Sequence, residues 1–375
     1  MSKERPAVIG IGRSDFRALW QDKDHGRDER ALARDAFEDA LRDSGLERRQ
    51  IDGLLVSRVT DGAGLGRELG LSPRWLAEVD GKGRNCGPAL LQAVQAIREG
   101  KAETVALVYA NDGRSRRQTY GGQRDYASQY GDVYGFTSPG AWLAAAWRRY
   151  CHLYGADEAV LEHLAVSARS AAALDPCSLP LPELNEAAYF ASPFIAEPLR
   201  RPDYCPVNDG GVCLIISSRE PARQPAARIE GGAWLEQPAG LYTGEDFFFS
   251  TARQVAAELA GQGLSLSETR PDLLLIYDNF TPNVVFALEG FGLCERGEGW
   301  RDVLSGSLAP INPGGGMLSG SYMQGWNLLY EAAAQLRGEA GERQVSPCRR
   351  AAYLCTAAKV SAVILSGGEE DDRDR

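Results

Sequence analysis

The stretch INPGGGMLSGSYMQGWN, residues 311–327, decides how the rest of the chain is read. Its three consecutive glycines, 314–316, are more than a tight turn needs, and the apolar pattern that follows, over 321–337, has helical spacing. A glycine-rich turn that enters a helix offers backbone N–H groups and the positive end of the helix dipole, so it suits a developing oxyanion or a thioester oxygen. Two other segments share this character. GKGRNCGPAL (81–90) opens a helical pattern, and IYDNFTP (276–282) leaves the apolar run 273–277.

Around these turns the chain alternates strand and helix. Strands are expected at 7–12, 51–59 and 103–109, with helices at 28–44 and 87–99, and this βαβαβ order predicts a parallel sheet faced by helices. Residues 111–139 are rich in Gly, Tyr, Arg and Gln and read as a long functional loop, whose Tyr120, Tyr126, Tyr130 and Tyr134 would line an apolar pocket or pack on a partner. Helical patterns at 141–154 and 157–173 and an irregular, proline-rich stretch to Pro206 lead to a closing strand at 212–217. REPARQPA (219–226) has the composition of a connector. The plan then repeats, with strands at 227–234, 273–277, 351–357 and 360–366 and helices at 250–261, 283–291 and 321–337. The expected organisation is one α/β unit used twice. It comprises a first half over 1–226 with an inserted loop region at about 111–206, a second half over 227–368, and a solvated charged tail, 369–375.

Composition removes several function classes. A net charge of −10 disfavours nucleic acid as partner, because a phosphate backbone needs a basic face. No apolar segment is long enough to cross a bilayer and no signal peptide is visible, so a cytoplasmic protein is expected. The 8 cysteines lack the paired spacing of a zinc site, and no metal is expected in this chain. GIGRSD (10–15) starts like a dinucleotide fingerprint, but Asp15 stands where the last glycine belongs, and a strand-end turn is the better reading. All 3 histidines (His25, His152, His163) lie in the first half, and the last two fall on predicted helices away from the glycine-rich turns. No histidine chemistry can come from the second half.

The order of VIGIGRSDF, IDGLLVSRV, PVNDGGVCLIISS, YDNFTPNVVFALEGFGLCERGEG and NPGGGMLSGSYMQGWNLLYEAAAQLRG resembles the thiolase superfamily, in particular the lipid-transfer proteins related to the sterol carrier protein thiolases. The resemblance implies a thiolase fold, in which two similar halves build a five-layered αβαβα sandwich. The departures are as informative as the match. The nucleophilic cysteine of thiolases corresponds to Gly83, with Cys86 one helical turn further on. The (H/N)-x-x-F motif reads Tyr277-Asp278-Asn279-Phe280, and the histidine motif of GHP type reads Ser321-Tyr322-Met323. Cys355, near a second reactive cysteine of thiolases, lacks the following glycines and reads as a buried strand residue.

A tyrosine pair in this setting resembles the steroid side-chain aldolases of that branch. The resemblance implies retro-aldol cleavage of a β-hydroxyacyl-CoA with a steroid ring, releasing a ketone and a short acyl-CoA such as propionyl-CoA or acetyl-CoA. It also implies a homodimer paired through the central sheet, joined by a small OB-fold, zinc-ribbon partner into a heterotetramer, with zinc in the partner only and the CoA thioester as substrate. The residues suit that chemistry. Cleavage needs a base for the β-hydroxyl proton, donors for the thioester enolate and an acid for the α-carbon, and no covalent adduct. A phenol, with an ordinary pKa near 10, needs its anion stabilised to act as a base. Tyr322 is assigned to the hydroxyl proton with Tyr277 as its partner, and backbone N–H groups at Gly83, Gly315 and Gly316 to the enolate. Two alternatives stand beside this: acyl transfer through Cys86, at a helix N-terminus, and a non-catalytic subunit that binds acyl-CoA or scaffolds a partner.

Overall fold

The computed structural model describes residues 5–80, 85–118, 133–219, 225–236, 249–357 and 359–368. Strand β1 (Ala7–Arg13) is followed by α1 (Phe16–Gln21) and α2 (Glu29–Ser44). Asp28 caps α2 by accepting the Ala31 N–H, Gly45 ends it in the left-handed region, and Leu32, Ala36, Phe37 and Ala40 bury one face. The glycines of GIGRSD belong to this packing. A Cβ on Gly12 would lie 2.1 Å from the Ala36 carbonyl oxygen, so glycine lets α2 lie directly against β1.

The first half continues with β2 (Gly53–Ser57), α3 (Gly62–Glu68), β3 (Trp75–Val79), α4 (Cys86–Arg98) and β4 (Thr104–Asn111). Then come α5 (Pro139–Tyr154), α6 (Ala159–Ala173), α7 (Glu186–Ala191), the small hairpin β5 (Phe194–Ala196) and β6 (Leu199–Arg200), and β7 (Gly210–Ser217). The second half comprises β8 (Ala227–Glu236), α8 (Ser250–Gly261), β9 (Leu273–Ile276), α9 (Pro282–Gly290), α10 (Gly299–Ser305), α11 (Trp326–Leu336), β10 (Arg350–Cys355) and β11 (Lys359–Gly367).

The strands are ordered β3-β2-β4-β7-β1-β8-β11-β10-β9. The expected parallel sheet is mixed instead: β2 runs parallel to β3 and β4, whereas β7 lies antiparallel to both β4 and β1. Alternation in the sequence reports the order of elements along the chain, and not which strands become neighbours. The last strand of each half inserts between the first and a later one, and so reverses the local direction. The second half repeats the pattern, with β9 parallel to β10, β10 antiparallel to β11, and β11 antiparallel to β8. The halves meet at two residue pairs, Ala7–Arg228 and Val8–Ala227.

Helices α4 and α11 pack on strands of both halves and form the middle layer, while α2 covers β1, β4 and β7 on one outside and α8 covers β8 and β11 on the other. This is the five-layered αβαβα arrangement. The middle layer is closed by large buried side chains, Tyr109, Trp326 and Tyr353 among them, and burying each contributes about 1.5–3 kcal/mol. One expected helix is shorter than its apolar pattern. Residues 316–320 wind into a single wide turn, Ser321 is extended and Gly325 takes φ of 90°, so α11 starts at Trp326 rather than at Ser321.

Candidate active site

The loops 277–281 and 311–325 are laced together where they leave the sheet. Asn312 pairs its side-chain amide with the backbone of Ile276, accepting its N–H at 2.9 Å and donating to its carbonyl at 2.9 Å. The next turn is held by Asp278, whose carboxylate accepts the Met317 N–H at 2.8 Å. Burial pushes the Asp278 carboxyl up to about 6, against the opposing effect of N–H donors from Met317, Leu318 and Asn312. The first half meets this knot from two sides. Asn208, in PVNDGG, accepts the Tyr322 N–H at 2.7 Å and is itself fixed by the Asn111 amide, which donates to its carbonyl at 2.8 Å. The inserted region ties on through the Cys205 N–H to the Asn279 carbonyl at 3.1 Å, and through Asp203, which accepts from the hydroxyls of Thr281 and Tyr189.

A cleft of about 1180 Å³ lies at this junction, and both Tyr277 and Tyr322 line it. Its apolar lining includes Leu181, Leu184, Ile195, Tyr204, Phe280 and Leu318, while Arg58, Arg169, Arg201 and Lys359 bring positive charge and Asp80, Glu183 and Glu236 negative charge. The volume exceeds the roughly 300–1,000 Å³ of most small-molecule sites, as a bulky thioester would need. The two tyrosines are 2% and 8% exposed, so each ring is packed by protein on most sides.

The other expected site residues are placed differently. Gly83, Tyr120, Tyr126, Tyr130 and the tail 369–375 lie outside the described residues. Gly315 and Gly316 do not line the cleft. Gly315 donates its N–H to the Asn312 carbonyl, and a Cβ on Gly316 would lie 2.0 Å from an Asp278 carboxylate oxygen. Their assignment to the enolate is therefore corrected: the glycine run wraps a buried carboxylate, and a backbone this close to Asp278 leaves no room for a side chain. Cys86 is fully buried, shares a 2.9 Å hydrogen bond with the Tyr353 hydroxyl and is absent from the cleft lining. Burial pushes its thiol up, away from the thiolate a nucleophile requires. Cys355 is a buried strand residue. Tyr134 is exposed and outside the cleft, His152 and His163 sit on exposed faces of α5 and α6, and His25 contacts Asp209 at 3.2 Å.

Several cleft residues were not foreseen. Asn279 lies within the motif already singled out; its side-chain oxygen accepts from Asn283 at 2.6 Å, which leaves its NH₂ as the donor group. Gln324, with φ of 50°, lines the cleft beside the tyrosines. Asn208, which supports Tyr322 without lining the cleft, was signalled only by sitting before Asp-Gly-Gly at a strand start. Among the described residues no cluster of three or more His, Cys, Asp or Glu could hold a metal, and no helix is long and apolar enough to cross a membrane.

Residues 239–365 match the family described as Thiolase C-terminal domain-like. The chain is 32% identical over 369 residues to the steroid side-chain-cleaving aldolase of Thermomonospora curvata, covering 88% of this chain and 90% of that protein. It is 28% identical over 375 residues to the 17-hydroxy-3-oxo-4-pregnene-20-carboxyl-CoA lyase of Mycobacterium tuberculosis, covering 90% and 93%. The solved Ltp2-ChsH2(DUF35) aldolase superposes with a TM-score of 0.85 and 28% identity, over 98% of this chain and 99% of that one.

Proposed function

Since the chain belongs to the thiolase superfamily, among the steroid side-chain-cleaving aldolases, we propose that it cleaves a β-hydroxyacyl-CoA attached to a steroid ring into a ketone and a short acyl-CoA. The observation that carries this reading is the pair Tyr277 and Tyr322 on one cleft, with the alternative nucleophile Cys86 buried out of its reach. In the proposed reaction Tyr322 takes the β-hydroxyl proton, the Cα–Cβ bond breaks as the carbonyl forms, and the electron pair passes into the thioester enolate. A proton returned through the tyrosine pair completes the acyl-CoA, so protons balance and no acyl-enzyme forms. Tyr277 is the partner phenol that helps to carry the negative charge, and acid–base assistance of this kind contributes about 10²–10⁴-fold.

The side-chain N–H groups of Asn279 and Gln324 stand in place of the Gly315 and Gly316 amides as donors to the thioester oxygen, together with the Gly83 N–H. The apolar lining residues take the fused rings, and Arg58 and Lys359 suit the phosphates of CoA. The active assembly is proposed as a homodimer joined by a small OB-fold, zinc-ribbon partner that holds the zinc; the Ltp2-ChsH2(DUF35) aldolase, a solved structure covering nearly the whole chain, supports a second subunit.

The test is to incubate the full chain, with and without such a partner, with a steroid β-hydroxyacyl-CoA and to follow ketone and acyl-CoA by mass spectrometry. Stoichiometric release of both products is expected. An acyl adduct on Cys86, or turnover only in the presence of free CoA, would replace the aldolase reading with acyl transfer.

A further inference from the structure

We propose that Tyr353, held by Cys86, is a positioning residue that fixes the ring of Tyr277 for cleavage. The inference rests on the aldolase reading. In the parallel β9–β10 ladder Leu275 stands beside Tyr353 and Ile276 beside Leu354, so Tyr277 continues the face on which Tyr353 and Cys355 are packed. Gly325 shows how closely the groups converge. A Cβ built there would lie 2.6 Å from the Cys86 sulfur, 2.9 Å from the Tyr353 hydroxyl oxygen and 3.1 Å from Cδ2 of the Tyr277 ring. Tyr353 and Cys86 are both fully buried, and neither lines the cleft.

A phenol and a thiol in an apolar core are costly unless they bond to each other or act on a neighbour, and phenylalanine would fill the Tyr353 site without that cost. The 2.9 Å bond between them satisfies the first condition. The bond ties the phenol to the thiol, and both groups converge with the Tyr277 ring around Gly325. Burial holds the Tyr353 phenol well above its ordinary range, so it stays neutral and acts through its dipole and its packing. Cys86, one helical turn past the position that corresponds to the thiolase nucleophile, thus serves as a support beneath the tyrosine that faces substrate.

The experiment compares kcat, KM and the pH dependence of kcat for Tyr353→Phe, Cys86→Ala, Cys86→Ser and Tyr277→Phe, in the complete assembly and with melting recorded separately. Tyr353→Phe is expected to lower kcat about tenfold with KM within about twofold, and to move the pH of half-maximal kcat by about 0.5–1 unit. Cys86→Ser, which keeps a donor, should stay within about twofold of the parent, with Cys86→Ala between the two. A Tyr353→Phe enzyme with parental kcat and pH profile, beside an inactive Tyr277→Phe, would overturn the positioning role and leave the aldolase reading intact. An active Tyr277→Phe would overturn both. If Tyr353→Phe fails to fold, parental kcat and pH profile in Cys86→Ala would overturn the proposal.

Discussion

The two halves bring opposite kinds of surface to the same junction. At the start of α4 the first half contributes Cys86, sealed beneath Gly325 and bonded to Tyr353. The second half contributes loops whose Tyr277 and Tyr322 line the cleft, although both halves share one strand plan. The contrast teaches that reuse of a scaffold does not conserve where its chemistry sits. A nucleophile needs an accessible, easily ionised group, and burial denies Cys86 both properties, whereas Tyr277 and Tyr322 stand at a cleft where donors such as Asn279 and Gln324 also line the wall.

The strongest way to break this contrast is to remove the two hydroxyls. Tyr322→Phe and Tyr277→Phe should each lower turnover by about 10²–10⁴-fold while leaving the melting temperature near that of the parent, as steady-state kinetics and calorimetry would check. The first half is also expected to act on the site through Asn208, whose side-chain amide oxygen receives the Tyr322 N–H. Asn208→Ala should lower kcat about 10–100-fold with little change in KM, because displacing the Tyr322 backbone misaligns its hydroxyl. A parental kcat would show that Tyr322 is placed by its own loop alone.

Gly325 tests the seal between the halves. Gly325→Ala adds a methyl group into contact with three side chains at φ of 90°, and should destabilise the fold by about 1–3 kcal/mol, measured by denaturant unfolding. The smallest effect concerns Asp278. Its folded carboxyl titrates near 6, above the ordinary value, so the unfolded chain releases this proton first and stability is lost as pH rises from about 4 to about 6. The contribution is at most about 3 kcal/mol, and Asp278→Asn should flatten that part of the stability curve.

Much of the architecture was legible because it rests on local chemistry. The cap and glycine stop of α2 and the buried runs of β9 and β10 are written in consecutive residues, and the order of α and β elements follows from them. The absence of histidine in the second half and the tyrosines at 277 and 322 could also be read directly. What the residues did not disclose depends on neighbours far apart in the chain. Whether the sheet is parallel or mixed depends on which strands pair, and the start of α11 depends on a positive φ at Gly325 that sits against Cys86, Tyr353 and Tyr277. Gly315 and Gly316 read as anion-binding because a free N–H and an occupied one have the same sequence; only the folded chain brings the Asn312 carbonyl to the Gly315 N–H and packs Gly316 against Asp278. The sequence by itself therefore determined the kinds of groups available for chemistry, since these are properties of single residues. Tertiary structure alone decided which of them face the cleft and which are buried as supports, because exposure and hydrogen-bond partners arise only when distant segments pack together.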